Sequence, residues 1–384
     1  MLKKFSVKNY KNFKDEICID FEKTAGYQFS TDCITDGLIS KMLIYGRNAT
    51  GKTNLGNALI DIYNMMLFGL RISNEHTVLN ADSSENTASF SYMFQFDDKE
   101  LIYEYARLSN NDFQGEKLVI DGKTIFKCDF TNKEYEFNNL KDIDAETANI
   151  DRYIQSMDIG EEMEEVTESR LHFLRWLISN VALKEDSVLI RLYNYIREMV
   201  IISENNRFIL RPRRMYDTFY EALEKREGLQ DFEDFMNAMG IECKFVLRKL
   251  PDGRRELYFK HERLVPFLEN ASSGTIALID LYRKIIFRLR NISFIYLDEF
   301  DAFYHYEMAE NLIKFLKRKY PRCQVIMTSH NTNLMTNRLM RPDCLFILSG
   351  EGTLTALCDA TQRELREGHN LEKMYISGEF VRYE

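Results

Sequence analysis

The sequence predicts an α/β fold: a mixed sheet with an antiparallel β subdomain, and a helical lobe inserted between its two halves. Three observations carry that expectation. The glycine-bearing run Gly46-Arg47-Asn48-Ala49-Thr50-Gly51-Lys52-Thr53 lies between a short apolar run and a helix-periodic stretch. Short alternating segments fill residues 88–137. Two more apolar runs, Phe294–Leu297 and Val325–Ser329, end in polar residues, as the strands of a parallel sheet do.

In chain order, residues 1–22 read as a hairpin. Phe5, Val7 and Tyr10 precede a turn near Lys11–Asp15, after which Ile17, Ile19 and Phe21 alternate. Met42–Tyr45 reads as a buried strand, and Leu55, Leu59, Ile62, Met66 and Leu70 fall at helical spacing behind the glycine loop. Phe90–Phe94, Leu101–Tyr105, Lys117–Ile120 and Thr124–Phe126, with a turn at Asp121-Gly122, predict antiparallel strands. Residues 140–240 read as helical, acidic near 158–168, with Leu174, Leu177, Ile178 and Val181 on one face and no sustained heptads. Strands return over 242–262 around the turn Pro251-Asp252-Gly253, and helices alternate with apolar strands from Ser272 onward. The resulting division is 1–139 for the N-terminal half, 140–240 for the helical lobe and 241–384 for the C-terminal half.

Composition narrows the partners. The 384 residues are 45% hydrophobic, which supports a sizeable core, and the net charge of −9 excludes a uniformly basic nucleic-acid binder. Two local basic tracks remain, Arg207, Arg211, Arg213 and Arg214, and Arg248, Lys249, Arg254, Arg255 and Lys260; the plain reading of each is a solvated face. The seven cysteines are scattered without a C-x-x-C pair, which fits reduced thiols better than disulfides or zinc. No apolar run reaches membrane-spanning length, and the amphipathic start Leu2–Val7 is unlike a secretory signal, so a cytoplasmic chain without membrane attachment is expected.

The chemistry sits in four runs. Gly46–Thr53 fits G-x-x-x-x-G-K-[ST] in full. Loop N–H groups and the positive end of the following helix would converge on phosphate, with Gly46, Asn48 and Gly51 shaping the cradle. Lys52 would reach the β- and γ-phosphates, and the Thr53 hydroxyl would ligate Mg²⁺. In Phe294-Ile295-Tyr296-Leu297-Asp298-Glu299, two carboxylates end a buried strand. Asp298 would hold the Mg²⁺ shell, and Glu299 would orient or deprotonate the attacking water. Ala271-Ser272-Ser273-Gly274-Thr275 opens a helix and offers a second anion site, although alone it is a plain helix cap. Val325-Ile326-Met327-Thr328-Ser329-His330 ends in one of six histidines, placed to hydrogen-bond a γ-phosphate.

In their order along the chain the four runs resemble the ABC-type P-loop ATPase heads of the SMC, RecF and OLD group, in particular the compact, coiled-coil-poor ATPases of bacterial antiphage-defence operons. Gly46–Thr53 stands as Walker A, Ser272–Thr275 as the signature, Leu297–Glu299 as Walker B and Ser329-His330-Asn331 as the switch histidine. Asp301 falls in the D-loop, Phe5–Phe13 is similar to the family's first strand, and Asn370–Phe380 resembles the C-terminal run of the defence ATPases. The likeness covers roughly residues 1–80 and 265–384. The signature reads S-S-G-T rather than L-S-G-G-Q, which suits the non-transporter branch. Gln95, on the first strand after the Walker A helix, is the candidate glutamine-loop residue and Mg²⁺ ligand.

The resemblance implies an ATPase using ATP and Mg²⁺, with Glu299 and His330 catalytic. It also implies a homodimer or higher oligomer in which Ser272, Ser273 and Gly274 of one head meet the nucleotide of the other. No N-K-x-D motif points to guanine. Only about 50 residues follow His330, too few for the Toprim nuclease of OLD proteins, so a separate effector, a nuclease or toxin encoded nearby, is expected. The implied role is an ATP-gated sensor or switch in antiphage defence. The alternative is a RecF- or SMC-like clamp that grips DNA through a basic track; a transporter subunit fits poorly.

Overall fold

The parallel strands that carry the motifs are buried on both faces, and this fixes the rest of the architecture. The structure, a computed structural model, describes residues 1–68, 78–108, 113–162, 172–203, 219–221, 223–224, 228–285 and 291–384. The predicted hairpin forms as β1 (Leu2–Lys8) and β2 (Ile17–Asp20), followed by the short pair β3 (Ile34–Thr35) and β4 (Leu38–Ile39) and by β5 (Lys41–Tyr45). The helix Lys52–Phe68 comes next; Leu70, expected on its apolar face, lies outside the described residues. Then come β6 (Thr87–Phe96), β7 (Lys99–Leu108), β8 (Phe113–Ile120), β9 (Lys123–Asp129) and β10 (Glu134–Phe137). These five and the first hairpin make one antiparallel sheet, in the order β10-β9-β8-β7-β6-β1-β2. Its strands alternate buried and half-exposed residues, as a sheet covered on one face requires.

The expected helical lobe begins with the helices Ile150–Glu162, Phe173–Asn180 and Val188–Arg197, but it does not run to residue 240. β11 (Met199–Ile202) leaves it and pairs in parallel with β15 (Phe294–Leu297), Met199 opposite Phe294 and Ile202 opposite Leu297. A four-residue apolar run is too short for periodicity to tell strand from helix, so only the neighbouring strand decides it. The helix Gly228–Ala238 then packs on Ser273–Ile285 and Tyr306–Lys319, with Phe232 against Tyr282 and Phe235 against Phe315. Met199–Ile202 and Gly228–Ala238 therefore join the core, and the described helical insertion ends at Arg197.

The remaining strands are β12 (Phe245–Lys249), β13 (Arg255–Lys260) and β14 (Leu264–Pro266), forming a small antiparallel sheet, with β16 (Gln324–Ser329), β17 (Leu345–Leu348) and β18 (Leu354–Ala356). The second large sheet runs β11-β15-β16-β5-β17-β18, parallel except at the β17–β18 edge. Every residue of β5, β15 and β16 is buried. The Walker A helix lies between the two large sheets. From the antiparallel sheet, Tyr92 donates to Ala58 O at 2.7 Å, Tyr105 donates to Asp61 at 2.8 Å, and Arg107 pairs with Asp61.

The helical segment is tied to the antiparallel sheet by one buried carboxylate. Glu116 on β8 accepts from the backbone N–H groups of Phe173 and Leu174 and from Tyr103 Oη at 2.8 Å. Burial pushes its carboxyl up to about 7, against the pull of those donors. His172 caps the same helix, its Nδ1 accepting from Arg175 N at 3.2 Å; burial holds the ring neutral, with its pKa lowered to about 3. Trp176 sits one turn on, stacked on Phe173 at 5.8 Å between centroids.

Candidate nucleotide site

β5, β15 and β16 run parallel, so their carboxyl ends gather three of the four motifs on one edge. The Gly46–Gly51 loop leaves β5, and the helix opens at Lys52. Two positions need their glycines. Gly51 has φ +101°, closed to most side chains, and Asn12 and Phe13 stand 3.2 Å from where a Cβ would be. Gly46 has the carbonyl of Leu348 3.0 Å from that position. Lys52 is 4% exposed; its Nζ donates to Gly46 O at 2.8 Å and Arg47 O at 3.0 Å, and lies 3.7 Å from Glu299 Oε1. Asn48 is exposed at the loop tip, and Arg47 pairs with Glu384.

Thr53 and Asp298 meet directly. The Thr53 hydroxyl donates to Asp298 Oδ2 at 2.6 Å, and Thr328 Oγ1 donates to Asp298 Oδ1 at 2.9 Å. Burial pushes the Asp298 carboxyl up, and these two hydrogen bonds oppose the rise. An alcohol and a carboxylate converging beneath a phosphate loop are hard oxygen donors, and they fit Mg²⁺, which takes few protein ligands beside phosphate and water. Glu299 follows with φ +44°, a left-handed conformation costly for a residue with a Cβ, and its N–H donates to Thr328 Oγ1 at 2.8 Å. Asp301, whose carboxyl is also raised by burial, accepts from Ser329 Oγ at 2.8 Å. His330 is the exposed residue immediately past β16.

The signature run stands apart from this cluster. Ser272 caps the helix Ser273–Ile285, its Oγ accepting from Thr275 N at 3.1 Å, and both Ser272 and Ser273 are exposed. Gly274 lies against the loop after Glu299, with Phe303 O 3.0 Å from where a Cβ would be. Among the described residues, no hydrogen bond joins Ser272–Gly274 to the Gly46–Thr53 loop of the same chain.

Gln95, expected as a metal ligand, does not reach this cluster. It ends β6, where its N–H donates to Met1 O at 2.8 Å and its side chain donates to Asp97 O at 2.8 Å. The adjacent Leu2 is held by Gln324, the first residue of β16, whereas the site lies at that strand's last residue, roughly 16 Å away at ~3.3 Å per residue. The strand that does end beside Asp298 is β11: Asp298 N donates to Ile202 O at 2.8 Å, which puts Ser203 at the site's border.

Three contacts carry no signal in the motif pattern. Tyr296 donates to Lys52 O at 2.5 Å, and Gly56 leaves room for its ring, with Cδ1 2.6 Å from where a Cβ would sit. Asn12, from the first hairpin's turn, accepts from Asn54 at the start of the Walker A helix. Thr328 read as an ordinary strand residue.

Residues 41–336 match the family described as "AAA domain, putative AbiEii toxin, Type IV TA system". The chain belongs to this family. The matched AAA domain spans Walker A, the signature run, Walker B and His330, and it fits the P-loop ATPase reading of the site. Solved structures similar in outline are SMC heads. One is an SmcHead bound to the C-winged helix domain of ScpA, at 17% identity and TM-score 0.48 over 93% of this chain and 97% of that one. Another is the SMC head domain from Thermotoga maritima, at 16% and 0.44 over 92% and 98%. A third is an Smc head with an extended coiled coil bound to the C-terminal domain of ScpA, derived from Pyrococcus furiosus, at 15% and 0.46 over 99% of both chains. Likeness at that level gives no residue correspondence. A search of curated proteins finds no significant match. Among the described residues no helix is long and apolar enough to cross a membrane.

Proposed function

We propose that the chain binds ATP with Mg²⁺ and hydrolyses it, and that ATP joins two heads. The observation that carries this is the convergence of Lys52, Thr53, Asp298 and Glu299 at the carboxyl ends of β5 and β15. Thr53 and Asp298 would hold Mg²⁺, which when bound neutralises charge on the phosphate oxygens. Lys52 would exchange its loop carbonyls for phosphate. Glu299 would take the proton of the attacking water, with His330 facing the γ-phosphate. Ser272 and Ser273 are exposed, Gly274 is half-buried beside them, and Ser272 is bound to its own helix, which supports a role toward a partner's nucleotide. Two heads related by a twofold axis would then close two such sites at once.

In this reading ATP clamps the dimer and its hydrolysis releases it, a switch suited to sensing in antiphage defence and to controlling a separate effector such as a nuclease. The toxin–antitoxin description of the family supports that context. The DNA-clamp alternative has less support. Arg254 and Arg255 are engaged by Asp252, Glu221 and Glu224, and the Arg207–Arg214 track lies outside the described residues.

The test is solution mass by light scattering of Glu299→Gln, with and without ATP and Mg²⁺. A doubling of mass with ATP, abolished by Ser273→Arg, is expected. ATP binding without any change of mass or shape overturns the composite site.

A further inference from the structure

Thr328 lies one residue past the last parallel pair between β16 and the Walker B strand. Met327 pairs with Leu297, so Thr328, still paired with Ile44 of β5, stands beside Asp298 just as the Walker B strand ends. Thr328 is fully buried, and its single hydroxyl is used twice. It donates to Asp298 Oδ1 at 2.9 Å and accepts from the Glu299 N–H at 2.8 Å. Its carbonyl also accepts from Phe300 N at 3.2 Å. A hydroxyl has one proton to give and lone pairs to receive, so both bonds can hold together.

The backbone at Glu299 is where such a bond matters. At φ +44° it occupies a region that a side chain disfavours, and strained residues persist only where their surroundings over-determine them. The next residue of β16 repeats the pattern: Ser329 Oγ donates to Asp301 Oδ2 at 2.8 Å and accepts from Asn331 N at 2.9 Å. The Walker B turn is thus fastened side by side to the strand that ends just before His330.

We propose that Thr328 is a positioning residue for the hydrolytic reaction: one hydroxyl orients the Asp298 carboxylate and fixes the left-handed turn that aims Glu299. This rests on the ATPase reading above. Thr328 acts through its two neighbours, Asp298 and Glu299, and not on the nucleotide itself. A residue held in productive geometry by buried partners loses rate rather than substrate affinity when the support goes.

The experiment compares Thr328→Val, which keeps the branched shape without the hydroxyl, with Thr328→Ser, which keeps the hydroxyl. Steady-state ATPase rates are measured alongside binding of a fluorescent N-methylanthraniloyl ATP with and without Mg²⁺. For Val the expectation is a kcat loss of about 10²-fold, unchanged affinity for the Mg²⁺-free analogue, and a higher Mg²⁺ requirement. Ser should recover most of the rate. In the Glu299→Gln background, Thr328→Val should cost little further, because the two act as one unit. A wild-type kcat for Val, or a full additional loss in that background, overturns the proposal.

Amide exchange over residues 294–303 decides separately, and needs no turnover. Faster exchange at Glu299 is expected in Val and not in Ser; equal exchange in both variants overturns the positioning role. If Val fails to fold, Ser against Thr328→Ala supplies the same comparison. A wild-type chain that binds the analogue and never hydrolyses ATP overturns the ATPase reading, while the exchange result still judges Thr328's hold on the turn.

Discussion

At the scale of single residues, the site is built from groups whose partners dictate what each substitution should do. Lys52 is buried with its amine turned onto two carbonyls of its own loop, so its charge is satisfied before any phosphate arrives. Phosphate offers that amine an opposite charge in place of neutral carbonyls, and a hydrogen bond to a charged group is worth roughly 1.5–3 kcal/mol. Lys52→Ala should therefore weaken ATP binding by about tenfold or more, read by calorimetry. Glu299→Gln keeps size and backbone but cannot accept a proton. It should leave ATP affinity near wild type and lower turnover by about 10²–10⁴-fold in a phosphate-release assay. These residues were legible in the sequence because each belongs to a short run whose chemistry is local. Thr328 and Tyr296 were not, since their importance lies in partners far along the chain, Asp298 and Lys52.

At the scale of elements, two contacts turn ordinary expectations around. Glycine inside an exposed helix normally costs about 1 kcal/mol relative to alanine. Gly56, however, faces the Tyr296 ring with no room for a methyl group. Gly56→Ala should therefore destabilise, by about 1–3 kcal/mol as an overpacked core does, read from the urea midpoint. The second contact is Glu116 under the helix Phe173–Asn180. Its folded pKa of about 7 lies above the model-compound value of 4.5. Between those values the folded protein holds a proton that the unfolded chain has lost. Glu116's own contribution to stability should thus fall as pH rises through that window, so the Tm of the wild type should drop relative to that of Glu116→Gln between about pH 4.5 and about pH 7. Element type was readable wherever periodicity ran long, as in β6, β7 and the Walker A helix. It failed at β11, where four apolar residues take their conformation from β15. It failed also at Gln95, where being on the right strand said nothing of which end of the sheet that strand reaches.

At the scale of the whole molecule, the Walker A helix is gripped from both sides. Tyr296 holds it from the parallel sheet, and Tyr92, Tyr105 and Arg107 hold it from the antiparallel one. A displacement at the phosphate loop thus has a rigid route to β8, and Glu116 on β8 holds the start of the helix that carries Trp176. That indole is the chain's single tryptophan, 6% exposed and packed on Phe173 and Tyr153. All indole fluorescence of the unlabelled protein therefore originates in the helical segment and none at the nucleotide. A shift in its emission on adding ATP would register a distant mechanical response, and a quench-free titration would show that the helices stay deaf to the nucleotide.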